Sequence, residues 1–238
     1  MNTLSNLLTA NIPTYTTSIP STNEKTNFRP FLVKEEKILL LAQGTGNNSE
    51  VLNAIKNILE VCFDGIDDAS SMPLFDVEYL FLKLRSKSVS EKVNPKIICP
   101  FTEEEIELDI NLDEIEIKGE LANTTVDISD TVKLKLKYPT LRTLMNQSEG
   151  IDYNDPSSLY SLVVSCIEKI MTKEETIDAT QVSLEEISSF VDSMTRTQFE
   201  KVLDFFLDSP RVEKKVPYTT SDGTVREVVL SGLSDFFG

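Results

Sequence analysis

The sequence contains no histidine and only three cysteines, at positions 62, 99 and 166. Without an imidazole the chain cannot build a Ser-His-Asp triad, a Cys-His dyad or a histidine-zinc site, and three distant thiols cannot form a four-cysteine cluster. Cys99-Pro100 looks like half of a zinc knuckle, but no second cysteine stands nearby, so neither a metal nor any other cofactor is expected. Cys62 and Cys166 read as small core hydrophobes. Gly44-Thr45-Gly46 has no following Lys-Ser/Thr and no preceding strand, so it reads as a helix terminator and not as a phosphate loop. Long apolar runs are missing too: none approaches the ~18 residues of a membrane span. Residues 1 to 23 carry no charge at all, which fits neither a signal peptide nor an arginine-rich transit peptide. An odd number of scattered cysteines fits a reducing compartment, so an intracellular product is expected. Positive charge is also scarce, with 23 Lys and Arg against 39 Asp and Glu and a net charge of −16. Such a field repels phosphate backbones and anionic lipid, so neither nucleic acid nor membrane is an expected partner.

What the chain does contain is enough apolar sequence for a core, 40% of its 238 residues, in two periodicities. Tyr15 and Ile19, the turn chemistry of Pro20-Ser21-Thr22-Asn23 and the return through Lys25 to Phe31 predict a hairpin. Val33 to Ala42 reads as a helix, and Val51, Leu52, Ile55, Ile58, Leu59 and Cys62 place an apolar face on a second. A third follows Pro73, with Leu74, Val77, Leu80, Phe81 and Leu84 on one side and Arg85 and Lys87 at its C-terminal end. Near Glu91 the period drops to two. Ile106, Leu108 and Ile110 alternate with acids, and Val132, Leu134, Leu136 and Tyr138 alternate with lysines, so an acidic and a basic strand are expected to pair in one small antiparallel sheet. Ile115 and Ile117 change parity, which requires a turn or bulge near Asp113. Eleven carboxylates lie between Thr102 and Asp130 against Lys118 alone, a pattern that reads first as a solvated face and second as a docking surface for a basic partner. Helices return after Pro139: Asp155-Pro156 starts one whose stripe runs through Leu159, Leu162, Val163, Cys166, Ile167 and Ile170. Ser183 with Glu186, and Thr195 with Gln198, have the spacing of capping boxes. Arg211 to Thr220 and Thr224 to Leu230 flank Ser221-Asp222-Gly223, a hairpin signal.

Carboxylates are abundant, but nothing pairs them with a nucleophile or a metal pattern, so the chain reads as a non-enzyme, with an acidic-residue hydrolase as the enzymatic alternative. Four local runs carry more information. Phe28-Arg29-Pro30-Phe31-Leu32-Val33-Lys34-Glu35-Glu36-Lys37 resembles the N-terminal part of the baseplate hub and assembly proteins of T-even-type contractile-tailed bacteriophages. Leu74 to Val89 looks like that family's helix leading into its β insertion, Lys137-Tyr138-Pro139-Thr140-Leu141 like the exit from it, and Leu230-Ser231-Gly232-Leu233-Ser234-Asp235-Phe236-Phe237 like its closing segment. The resemblance covers residues 12 to 238 in order. Members often place paired cysteines in the β insertion, whereas Cys99 stands alone here.

Taken together, the residues predict an α+β protein. Its parts are an arm and hairpin at 1–32, helices at 33–90 and 139–208 packed together around a β insertion at 91–138, and a hairpin and tail at 209–238. The resemblance implies a structural subunit of the phage tail baseplate hub that works by contacts with other baseplate and hub proteins. It would act in the host cytoplasm during assembly and lie in the virion tail if retained; the alternative is a transient assembly chaperone absent from the finished particle. Tyr15, Phe28, Phe31, Leu233, Phe236 and Phe237 are the candidate partner-binding residues, because large apolar side chains near chain ends can anchor an interface. The competing reading has Phe28 and Phe31 fastening the hairpin to the helices, and the C-terminal aromatics closing the chain's own core.

Overall fold

A computed structural model of the chain describes residues 11–146 and 155–237. In chain order these form β1 (Tyr15–Ser18), β2 (Lys25–Phe28), α1 (Val33–Gly44), α2 (Asn48–Cys62) and α3 (Leu74–Ser88). Short strands follow: β3 (Lys92–Val93), β4 (Lys96–Ile98), β5 (Glu105–Glu107), β6 (Ile110–Asn111), β7 (Glu116–Lys118), β8 (Thr125–Asp127) and β9 (Val132–Leu136). Next come α4 (Leu141–Met145), α5 (Pro156–Cys166), β10 (Ile167–Thr172), β11 (Thr176–Asp178), α6 (Leu184–Asp192) and α7 (Arg196–Leu207). The chain closes with β12 (Arg211–Thr219), β13 (Val225–Ser231) and α8 (Gly232–Phe237). This is a mixed α+β fold, and among the described residues every strand pair is antiparallel. It divides into two compact units, Met1–Lys118 with Arg211–Gly238, and Gly119–Pro210.

In the first unit α3 has apolar side chains on more than one side. Val77, Leu80, Phe81 and Leu84 form the stripe seen in the sequence, and Phe75 and Leu82 are buried as well. Leu82 belongs to a core with Val93, Leu108, Ile110, Leu112, Ile115, Val212, Val216, Leu230 and Phe236. That core is roofed by the sheet β13-β12-β7. The parity change at Asp113 is absorbed by a 3-10 turn over Leu112–Glu114, which lets Leu112 and Ile115 both point inward.

The second unit is a four-stranded sheet in the order β11-β10-β9-β8, packed against α5, α6 and α7 through Leu134, Leu136, Leu162, Val163, Cys166, Ile187, Val202 and Phe206. The local signals are used as read. Asp155 caps the Ser158 N–H at 2.7 Å with Pro156 at the first helical position, and the boxes Ser183/Glu186 and Thr195/Gln198 both close.

Two expectations are corrected. The helical stripe ends at Cys166, and Ile167 and Ile170 lie instead in β10, paired with Leu136 and Leu134 of β9. Three apart is a helical spacing, and in a regular strand it would put the two side chains on opposite faces; a bulge between Ile167 and Lys169, where β10 pairs with β9, brings both into the core. With β10 and β8 as its neighbours, β9 does not pair with the acidic strand, so residues 91–138 are not one sheet: Ile97 pairs with Ile106, whereas β9 belongs to the other unit. Charge pairing therefore stays local. Lys96 meets Glu105 at 2.7 Å and Lys92 meets Asp109 at 2.9 Å, while Lys133 meets Asp127 at 3.0 Å and Lys135 meets Glu168 at 3.2 Å.

Leu134→Ala is expected to cost about 2–5 kcal/mol, as for other fully buried leucines. Hydrogen exchange should then quicken in Val132–Leu136 and Ile167–Thr172 together. Quickening in Glu105–Glu107 instead would contradict this pairing.

Candidate functional site

The Phe-Arg-Pro-Phe run is the junction where β2 becomes α1. Phe28 stacks on Phe63 with ring centroids 4.9 Å apart and lies 5.6 Å from Tyr15, its cross-strand partner. The Arg29 N–H donates to the Cys62 carbonyl at 3.0 Å, and the Phe31 N–H donates to Ser88 Oγ at 3.0 Å, so the run is tied to the ends of α2 and α3. Glu35 then fixes the start of α1: its carboxylate accepts the Leu32 N–H at 2.7 Å and pairs with Arg29 at 3.1 Å and Lys34 at 3.3 Å. Burial works against its charge, but the Leu32 N–H and the two cations outweigh it and hold the carboxyl below the usual range.

The closing run has an equally local explanation. Gly232 sits at φ +74°, and a Cβ there would lie 3.2 Å from Glu78 Oε1. Only glycine suits both the left-handed backbone and the close approach. Asp235 accepts the Ser231 N–H at 2.8 Å, and Phe236 enters the core of the first unit. Glu78, half-buried on α3, accepts the Leu233 N–H; its burial, reinforced by the nearby Asp235, pushes its carboxyl up to about 7.

These contacts place the sequence-derived candidates. Phe28, Phe31 and Phe236 are buried in the chain's own core, so in this conformation they offer no surface to a partner. Tyr15 is half-buried, Leu233 packs partly buried against the first core, and the Phe237 side chain lies outside the described set. All three cysteines are buried and free. Burial pushes Cys62 and Cys166 up to about 11. Cys99 is different: burial opposes its thiolate, but Thr102, the Tyr218 hydroxyl donating at 3.5 Å and the N–H groups of Phe101 and Thr102 bring the thiol down to about 7. Among the described residues no three His, Cys, Asp or Glu are grouped to hold a metal, and no helix is long and apolar enough to cross a membrane.

What remains open is α1. Val33, Ile38, Leu40 and Leu41 are 79%, 48%, 60% and 63% exposed, although the helix contains the run Ile38-Leu39-Leu40-Leu41. Its inward side is held by Glu35 and Ala42, seven residues apart. Sequence reasoning identified the helix but not its open side. The signal was available: apolar residues all round a helix mean that every face wants cover. A smaller apolar spot lies at the β4–β5 turn, where exposed Phe101 is shielded by the Arg226 guanidinium 5.3 Å from its ring centre.

The chain thus encloses Phe28, Phe31 and Phe236 and leaves the aliphatic side of α1 uncovered among the described residues. It belongs to the family described as T4 bacteriophage base plate protein, which matches residues 12–238. The baseplate hub assembly protein gp26 of Enterobacteria phage T4 is 26% identical over 214 residues, covering 89% of this chain and 91% of that protein. No solved structure matches the chain significantly.

Glu78 gives a pH signature. Its folded pKa, about 7, lies above the ordinary 4.5. The stability it contributes is therefore complete below about 4.5 and is lost as pH rises through about 7. Melting of the wild type should fall between pH 5 and pH 8 by more than that of Glu78→Gln, measured in parallel. Equal slopes would contradict the assignment.

Proposed function

We propose that this protein is a non-enzymatic structural subunit of the phage tail baseplate hub that acts in hub assembly by contacts with other baseplate proteins. The observation that carries the reading is the uncovered aliphatic side of α1 in a chain of the base plate family. Completing the burial of Val33, Ile38, Leu40 and Leu41 on association removes apolar surface from water worth roughly 1–2 kcal/mol each, and together the four supply a strong drive to bind. The charged strands supply less, since their carboxylates already face lysines of the same unit, and exposed pairs contribute about 1 kcal/mol or less and are screened by salt. The second reading, a transient assembly factor, is favoured by the name of the T4 relative, a baseplate hub assembly protein. Both place the protein in the host cytoplasm while tails are built.

Deleting the gene from the phage genome should stop baseplate formation and yield particles without functional tails; intact tails would refute both readings. Mass spectrometry of purified wild-type virions separates them. Recovery of this chain in stoichiometric proportion to other baseplate proteins is expected for the subunit, and its absence would leave the transient factor.

A further inference from the structure

The open side of α1 is specific in shape and charge. At 100° per residue, Val33, Lys37, Leu40 and Leu41 follow the spacing i, i+4, i+7, i+8 on the side away from Glu35 and Ala42. Ile38 and Lys34 widen the stripe along one border. From Val33 to Leu41 it spans just over two helical turns, about 12 Å, close to the width of one helix, which fits one crossing helix and the helix-in-groove mode of recognition. Both cations of α1 lie within this stripe, in a chain whose net charge is −16. Glu36 lies on the other flank, where its charge favours that of Arg85. Over a Debye length of ~10 Å the local charges, and not the net charge, govern what can approach.

From this we infer that the outer side of α1 docks an amphipathic helix of another protein, one carrying an aliphatic stripe bordered by carboxylates that meet Lys34 and Lys37. A second copy of this chain fits poorly. Two-fold antiparallel packing would set Lys34 against Leu40-Leu41-Ala42-Gln43-Gly44, which has no carboxylate, and would bring Lys37 close to the second Lys37. The inference rests on the hub-assembly reading for its setting and on α1 alone for the contact.

The test places the photocrosslinker p-benzoylphenylalanine at position 40 of the full chain, expressed in infected cells, with position 184 as the reference because Leu184 is also exposed. Sequencing the crosslinked peptide identifies the occupant. The expected product is a segment of another phage protein with aliphatic residues at helical spacing and Asp or Glu beside them. Lys37→Glu should lower its yield about tenfold or more, because it sets a like charge against the partner's carboxylates, while Lys37→Arg should preserve it. Lys37 is chosen because Lys34 also contacts Glu35, and unchanged melting of both variants shows that the fold is intact. A crosslink to a second copy, to residues 1–10 of the same chain or to a segment without carboxylates would overturn the inference. So would a yield no higher than at position 184, or one indifferent to Lys37→Glu. If the acidic amphipathic helix comes from a protein outside the baseplate, the docking inference stands and the hub reading fails.

Discussion

The first unit depends on one helix, α3, because four separate segments of that unit are fastened to it by polar contacts. Near its start, buried Asp76 accepts the backbone N–H of Ser21 at 2.9 Å and its hydroxyl, so the turn of the N-terminal hairpin is held in place. Two residues on, Glu78 accepts the Leu233 N–H and sets the start of α8. At its other end Ser86 and Lys87 both reach Asp113, each at 2.6 Å, fixing the 3-10 turn that carries Leu112 inward. Ser88 receives the Phe31 N–H. An apolar helix with carboxylates near its beginning and donors near its end can gather a hairpin, a turn and both ends of the unit while its leucines fill the core.

Asp76 and Glu78 are costly components of that arrangement. Burial raises both pKa values, and each carboxylate is kept in place by backbone N–H groups that would otherwise lack a partner. The polar contacts thus specify which segments dock, and the apolar core supplies most of the drive. One consequence is that the aromatics near the two ends of the unit are committed to folding. Phe28 and Phe31 secure the junction into α1, and Phe236 seals the C-terminal turn. With those side chains enclosed, α1 is the segment whose apolar surface exceeds what its own unit can cover.

The runs that resemble the base plate family acquire physical content in the same way. Arg29 and Glu35 cap α1, Gly232 supplies a left-handed backbone beside Glu78, and Tyr138, at the exit from β9, stacks on Phe205 at 5.1 Å and donates to the Ala122 carbonyl. The Cys99-Pro100 turn is held without a second cysteine. The Tyr218 hydroxyl meets the sulfur, and Glu104 accepts the Ser221 N–H and hydroxyl from the facing hairpin.

The sequence by itself determined what short-range chemistry controls. The helix starts at Asp155, Ser183 and Thr195, the hairpin at Ser221-Asp222-Gly223 and the alternation of β9 are settled by groups within a few residues of each other. So are the α+β class and the lack of histidine chemistry. Tertiary structure decided whatever depended on a distant partner. The spacing of Ile167 and Ile170 is helical, and only the bulged pairing with β9 lets a strand turn both inward. Acidic and basic strands are complementary in sequence, yet cross-strand attraction acts over a few ångströms and falls to whichever lysine the backbone brings near. Phe28, Phe31 and Phe236 look the same in sequence whether they face a core or a partner, and enclosure alone distinguishes the two. The open side of α1 is the converse case: its excess of leucines was visible, but which side Glu35 and Ala42 would turn inward followed only from the packing of the helices around it.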